Sequence, residues 1–160
     1  MDRVNQIFHH PKFREYVSMN AKCEWRRELC RHNLSHFMDV ARIGYILNME
    51  EDDGFSKDII YGAALLHDIG RFVQYTEHRP HAEVSAELAP EILADCGYSE
   101  EESGMIVSAI ATHSDKSLVG ERTLNGLLAR ADQMSRACYG CAATEKCDWS
   151  EERKNGRIEW

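Results

Sequence analysis

The chain is 160 residues long, with 43% hydrophobic and 29% charged residues, proportions that fit one folded soluble domain and exclude an intrinsically disordered one. Its net charge of −8 argues against a broad docking face for long nucleic acid or an anionic membrane, while a few basic groups around one phosphate stay compatible with it. The opening "MDRVNQIFHHPKF" meets charge and His before any apolar core forms, and the longest apolar run, around "DIIYGAALL", is too short for a bilayer. The expected compartment is therefore the cytoplasm, with the six cysteines reduced or bound to metal rather than paired.

Only three prolines occur and alternating strand-like runs are absent, so the expected fold class is all-α, a single bundle of about six helices with an irregular C-terminal tail. In chain order the periodicity predicts a helix near residues 2–19 and a long one over 22–49. The next falls near 56–69, with Gly70 as its stop, and a fourth spans 82–96, with Gly97 as its stop and Pro90 expected to kink or divide it. Ser99 followed by Glu102 reads as a capping box opening a helix over 99–113, and the last helix covers 121–138. Residues 1–137 form the helical domain in this reading, and the polar, Cys-bearing segment 138–160 packs on it as a tail.

Several of these helices carry polar groups where apolar ones are expected. The long helix has a stripe at Leu29, Asn33, His36, Val40, Ile43 and Leu47, which turns His36 toward the core. The apolar run "AALLHDIGRF" ends in His67-Asp68, His81 shares a face with Val84, Ser85 and Leu88, and His113 shares one with Ile106, Ala109 and Ile110. Asp132 follows Leu128 by one turn. A single buried His is ordinarily a hydrogen-bonded core residue. Five such groups on five helices are better satisfied together by a divalent ion, since bundles build metal sites from inward-facing side chains. Imidazole with carboxylate suits iron, manganese, zinc, cobalt or nickel, as one ion or two.

The ordered set His36 in "HFMDVARI", His67-Asp68 in "AALLHDIGR" and Asp132 in "LLARADQMSR" resembles the HD-domain phosphohydrolase superfamily, over about residues 30–137. The resemblance implies that His36, His67, Asp68 and Asp132 bind a first metal, and that Asp68 bridges to a second held by His81 and His113. His78 and His32 are rivals for the added imidazoles. Arg71 stands where such families often carry a phosphate-binding lysine, and keeps the charge with a fork suited to phosphate; Arg122, Lys116 and Arg136 are weaker candidates. The "GYP" loop of the cyclic-di-GMP-cleaving subfamily is absent after His113. The implied activity is metal-dependent hydrolysis of a nucleotide or another small phosphorylated molecule. A di-iron oxygenase of the same fold and a non-catalytic sensing module are the alternatives.

The cysteines fall outside that chemistry. Cys138, Cys141 and Cys147 form C-x2-C-x5-C directly after the helix of Asp132, and a short turn brings a C-x2-C pair to one ion. If His36 and Asp132 share a metal, the tail reaches back to Cys30, six residues before His36, in preference to Cys23. The tail "CYGCAATEKCDW" and a Cys before "RHN" are also similar to a bacterial subgroup of the superfamily. The expected occupant is a structural zinc or an iron–sulfur cluster.

Overall fold

Every regular element of the chain is helical, as its periodicity predicts. The computed structural model describes residues 1–160 and contains eight α-helices: α1 (Asp2–His9), α2 (Pro11–Cys23), α3 (Leu34–Glu51), α4 (Lys57–Leu66), α5 (Arg71–Glu77), α6 (His81–Asp95), α7 (Glu100–Thr112) and α8 (Leu124–Met134). A short 3-10 turn at Lys116–Gly120 lies between α7 and α8, and two more follow α8 at Cys138–Gly140 and Thr144–Lys146. No helix is long and apolar enough to cross a membrane.

Two predicted helices are broken. The one over 2–19 splits because His10 precedes a proline; it takes an extended conformation (φ −66°, ψ 127°), and Pro11 then opens α2. The one over 22–49 is interrupted across residues 24–33, where side chains capture backbone donors that a helix would need. Glu24 accepts from the His32 N–H at 2.7 Å, and Asn33 caps α3 by accepting from the His36 N–H at 3.1 Å. Leu29 therefore does not extend the face of His36.

The helix predicted near 56–69 ends at Leu66, so His67 and Asp68 lie on the turn into α5, which was not foreseen. Gly70 stops no helix but precedes α5 (φ −86°), and a side chain there would run into the α6 backbone, its Cβ 2.7 Å from the Ser85 nitrogen. Pro90 neither ends nor divides α6; the residue is exposed, so water can satisfy the carbonyl its missing N–H leaves free.

Other signals hold. Ser99 and Glu102 form the reciprocal capping box. Gly97 (φ 77°) closes α6 with bonds from its own N–H to the Ala94 carbonyl and from the Tyr98 N–H to the Leu93 carbonyl, the left-handed ending that glycine favours.

The core gathers Phe37, Val40 and Ile43 of α3, Ile60 and Leu65 of α4, Ile92 and Leu93 of α6, Ile106 and Ile110 of α7, and Leu127 and Leu128 of α8. Each such side chain contributes roughly 1.5–3 kcal/mol on burial. α3 lies between α4 and α8, α7 packs on α6 and α8, and α1 and α2 cover α4 and α5. Arg3 fastens α1 to the bundle, bonding Asp58 and Glu102 with its guanidinium 4.2 Å from the Tyr98 ring centroid. This packing leaves the start of α3, the α4–α5 turn, the start of α6 and the ends of α7 and α8 facing one another.

Candidate metal centre

At that convergence the structure gathers two sets of ligand atoms, each within 4.8 Å: His36, His67, Asp68 and Asp132, and Asp68, His81 and His113. Asp68 belongs to both. Its Oδ2 lies 3.2 Å from His67 Nε2 and 3.7 Å from His36 Nε2, and its Oδ1 lies 3.2 Å from His81 Nε2 and 3.7 Å from His113 Nε2. Asp132 Oδ1 completes the first set at 3.2 Å from His36 Nε2 and 3.7 Å from His67 Nε2.

The surrounding hydrogen bonds set the tautomers. His67 Nδ1 donates to the Ala64 carbonyl and His113 Nδ1 to the Ile110 carbonyl, both at 2.7 Å. His36 Nδ1 donates to Ser135 Oγ at 3.1 Å, whose proton is committed to the Asp132 carbonyl, while the His81 ring lies between Gln74 Oε1, 2.6 Å from its Nδ1, and the Arg71 guanidinium. In the neutral rings the Nε2 of His36, His67 and His113 is then a lone pair aimed inward, with His36 and His67 at 3.2 Å, and His113 3.2 Å from His81 Nε2. Lone pairs at that distance repel unless a cation or a proton lies between them, and an Nδ1 bond to a carbonyl is the usual support of a metal-binding His.

Asp68 makes the same demand. It is 1% exposed, and its Oδ1 has no hydrogen-bond partner, an expensive condition for a buried carboxylate. Burial works to raise both carboxyls, but the imidazoles around Asp68 and the Arg136 guanidinium beside Asp132 hold each well below the usual range. Against its own burial, His67 is pushed up to about 10 by the two carboxylates. Burial, aided by the Arg71 charge, sends His81 down to about 3 despite Asp68. The donor set thus fits a divalent ion at either position.

A family model for the HD domain matches residues 33–137. The chain belongs to the HD domain family. It is 43% identical over 158 residues to an uncharacterized protein of Clostridium beijerinckii, covering 99% of both chains. It is 28% identical over 126 residues (79% of this chain) to ribonuclease Y 1 of Pediococcus pentosaceus, and 30% identical over 131 residues (82% of this chain) to ribonuclease Y of Oleidesulfovibrio alaskensis. The HD chain spans 22% of each of those two relatives. No solved structure matches it.

The other predicted residues fall into place around this HD centre or away from it. Arg71 Nη1 lies 2.8 and 3.1 Å from the ring nitrogens of His81. Arg136 is more central than its sequence context indicated: buried, with Nη2 2.9 Å from Asp132 Oδ1 and 3.0 Å from His36 Nε2. His32 is buried with Nε2 3.9 Å from Asp68 Oδ2, and its Nδ1 donates to Glu24 at 2.5 Å. His78 is exposed at the end of α5, and Arg122 pairs with Asp53 away from the centre. A cavity of about 190 Å³ opens over the metal groups and is lined by Arg71, Lys116, Arg136 and all of Cys30, Cys138, Cys141 and Cys147.

Sequence reasoning missed the supports beneath. Buried Asn20 donates to the Asp68 carbonyl at 2.9 Å and accepts from the Phe72 N–H at 2.7 Å, holding the turn at both ends. Glu24, 3% exposed, also accepts from Tyr75 Oη at 2.6 Å; burial raises it, but these bonds bring it down to about 2. The available signal was a polar pair four residues apart, Asn20 in the last turn of α2 and Glu24 just after it.

Proposed function

We propose that this protein is a metal-dependent phosphohydrolase acting on a small phosphorylated molecule, a nucleotide foremost. One observation carries the reading: Asp68 turns one carboxylate oxygen to each of two imidazole groups whose lone pairs converge. His36, His67, Asp132 and Asp68 Oδ2 would hold one ion, and His81, His113 and Asp68 Oδ1 a second. When bound, such ions lower the pKa of water toward neutrality and polarise phosphoryl oxygens.

The chain's own residues supply the rest. Arg71 flanks the His81 group and Arg136 the Asp132 group, so a phosphate entering between them meets positive charge on two sides, where it neutralises the developing charge of phosphoryl transfer. Although the chain carries a net charge of −8, Arg27, Arg71, Lys116, Arg136, Arg153 and Lys154 all line this cavity. Trp149 also lines it, with the Arg153 guanidinium 3.9 Å from its ring centroid, an arrangement able to stack a base. The ribonuclease Y relatives are named for cleavage of a phosphodiester polymer, which supports phosphoester chemistry. A cavity of about 190 Å³ walled in part by residues 138–154 favours a smaller substrate.

The test is incubation of manganese-loaded protein, without oxygen, with a panel of nucleoside phosphates and small phosphoesters, reading phosphate or nucleoside release. Turnover of at least one substrate, abolished by chelator, is expected. No turnover, together with substrate-dependent oxygen uptake by the iron-loaded protein, would replace the reading with an oxygenase.

A further inference from the structure

The phosphohydrolase reading leaves four cysteines unused. Cys30 stands six residues before His36, and Cys138 six residues after Asp132. His36 Nε2 and Asp132 Oδ1 are 3.2 Å apart, so both flanking segments start from the same centre. The tail then folds back in short turns: the Cys141 N–H bonds the Cys138 carbonyl at 3.2 Å, and the Cys147 N–H bonds the Thr144 carbonyl at 3.3 Å. Lys146 pairs with Glu28 across the same gap, and Asn155 Nδ2 donates to the carbonyls of Gln133 and Arg136, each at 2.8 Å. Cys30, Cys138, Cys141 and Cys147 all face one cavity as free thiols. Burial raises the Cys30 thiol; Arg136 lowers it, and Cys138, Cys141 and Cys147 each act on it to raise it again.

The spacing of the sulfurs distinguishes the possible occupants. A tetrahedral zinc with Zn–S bonds of about 2.3 Å needs its thiolates about 3.8 Å apart. Here no three of the four sulfurs lie within 4.8 Å of one another. Four cysteines that line one cavity without forming such a close group suit a polynuclear centre, which sets of four cysteines commonly hold. We propose that Cys30, Cys138, Cys141 and Cys147 hold a 4Fe–4S cluster that staples the C-terminal tail to the loop before α3. The cluster with its thiolates is anionic, and Arg27, Arg136 and Lys154 line the same cavity to offset it. Its role is structural. It holds Trp149, Arg153 and Lys154 over the metal centre, positions that lie beyond the segment matched by the HD family. The staple stands independently of what the His/Asp centre hydrolyses.

The test uses the full chain, purified without oxygen or reconstituted anaerobically with ferric iron, sulfide and a thiol reductant, then assayed for acid-labile sulfide and visible absorption. Sulfide is the deciding quantity, because iron alone would also enter the His/Asp centre. The expected result is about four sulfides per chain with a visible band bleached by dithionite. Cys141→Ser and Cys30→Ser lose both and expose the tail to protease, whereas Cys23→Ser and His81→Ala keep them. Wild-type protein without sulfide after reconstitution overturns the proposal. So does a single zinc equivalent that Cys141→Ser removes, which assigns a mononuclear site, or loss of sulfide in Cys23→Ser with retention in Cys30→Ser.

Discussion

Replacing Gly70 with Ala tests how tightly the fold sets the separation of the two ligand groups. The backbone at Gly70 (φ −86°) suits alanine, so the effect comes from space alone. The added methyl would lie 2.7 Å from the Ser85 nitrogen and 2.9 Å from Val84 Cβ, and these atoms belong to α6 and cannot rotate away. Widening the first contact from 2.7 Å to the ordinary 3.4 Å moves the α4–α5 turn and α6 apart by about 0.7 Å. Overpacking of this kind costs about 1–3 kcal/mol, and the Gly70 N–H to Ser85 Oγ bond of 2.9 Å is worth about 1 kcal/mol more if lost. Stiffening of the unfolded chain returns about 0.4–1 kcal/mol. A net loss of about 1–3 kcal/mol is expected in urea unfolding. As α6 gives way, the displacement separates Asp68, two residues before Gly70, from His81, four before Ser85, so the second metal weakens while the ion of His36, His67, Asp68 and Asp132 is retained. Wild-type stability in Gly70→Ala, or equal weakening of both metals, refutes this geometry.

Asn20→Ala leaves the Asp68 carbonyl and the Phe72 N–H without their partner, at about 1–3 kcal/mol each; a urea midpoint equal to that of wild type would show that the clamp contributes nothing. Glu24 is about 2 in the fold against an ordinary 4.5, so its stabilisation is complete above pH 4.5 and is lost as pH falls toward 2. It is worth on the order of 3 kcal/mol, and Glu24→Gln should flatten that limb of the pH–stability curve. Arg71→Ala should raise KM at least tenfold, since a charged hydrogen bond contributes about 1.5–3 kcal/mol, with metal content unchanged. An unaltered KM would make Arg71 a supporting partner of His81 only.

The six proposed metal-site residues stood out in the sequence because an imidazole or carboxylate on an apolar helix face, or at the end of an apolar run as in His67-Asp68, is costly, and their order resembled the HD signature. Arg136 carried no such signal, as it follows α8 outside any apolar stripe and finds Asp132 and His36 only through the fold. The 22–49 helix failed for a related reason. Leu29 and Asn33 keep the right spacing by coincidence, with no Gly or Pro to mark the break, and the bonds that undo the helix come from Glu24 and Asn33 side chains. The split at His10-Pro11 did have a local signal, the proline itself. α5 had too few residues to show a period.

The central claim is that Asp68 joins two metal positions, and it is tested most directly by titrating chelator-treated protein with manganese, a hard ion poorly suited to the thiols. The account predicts two ions per chain in wild type, one in His81→Ala, and strong loss at both positions in Asp68→Ala. A wild-type protein that binds one ion, with His81→Ala binding it as tightly, would contradict it.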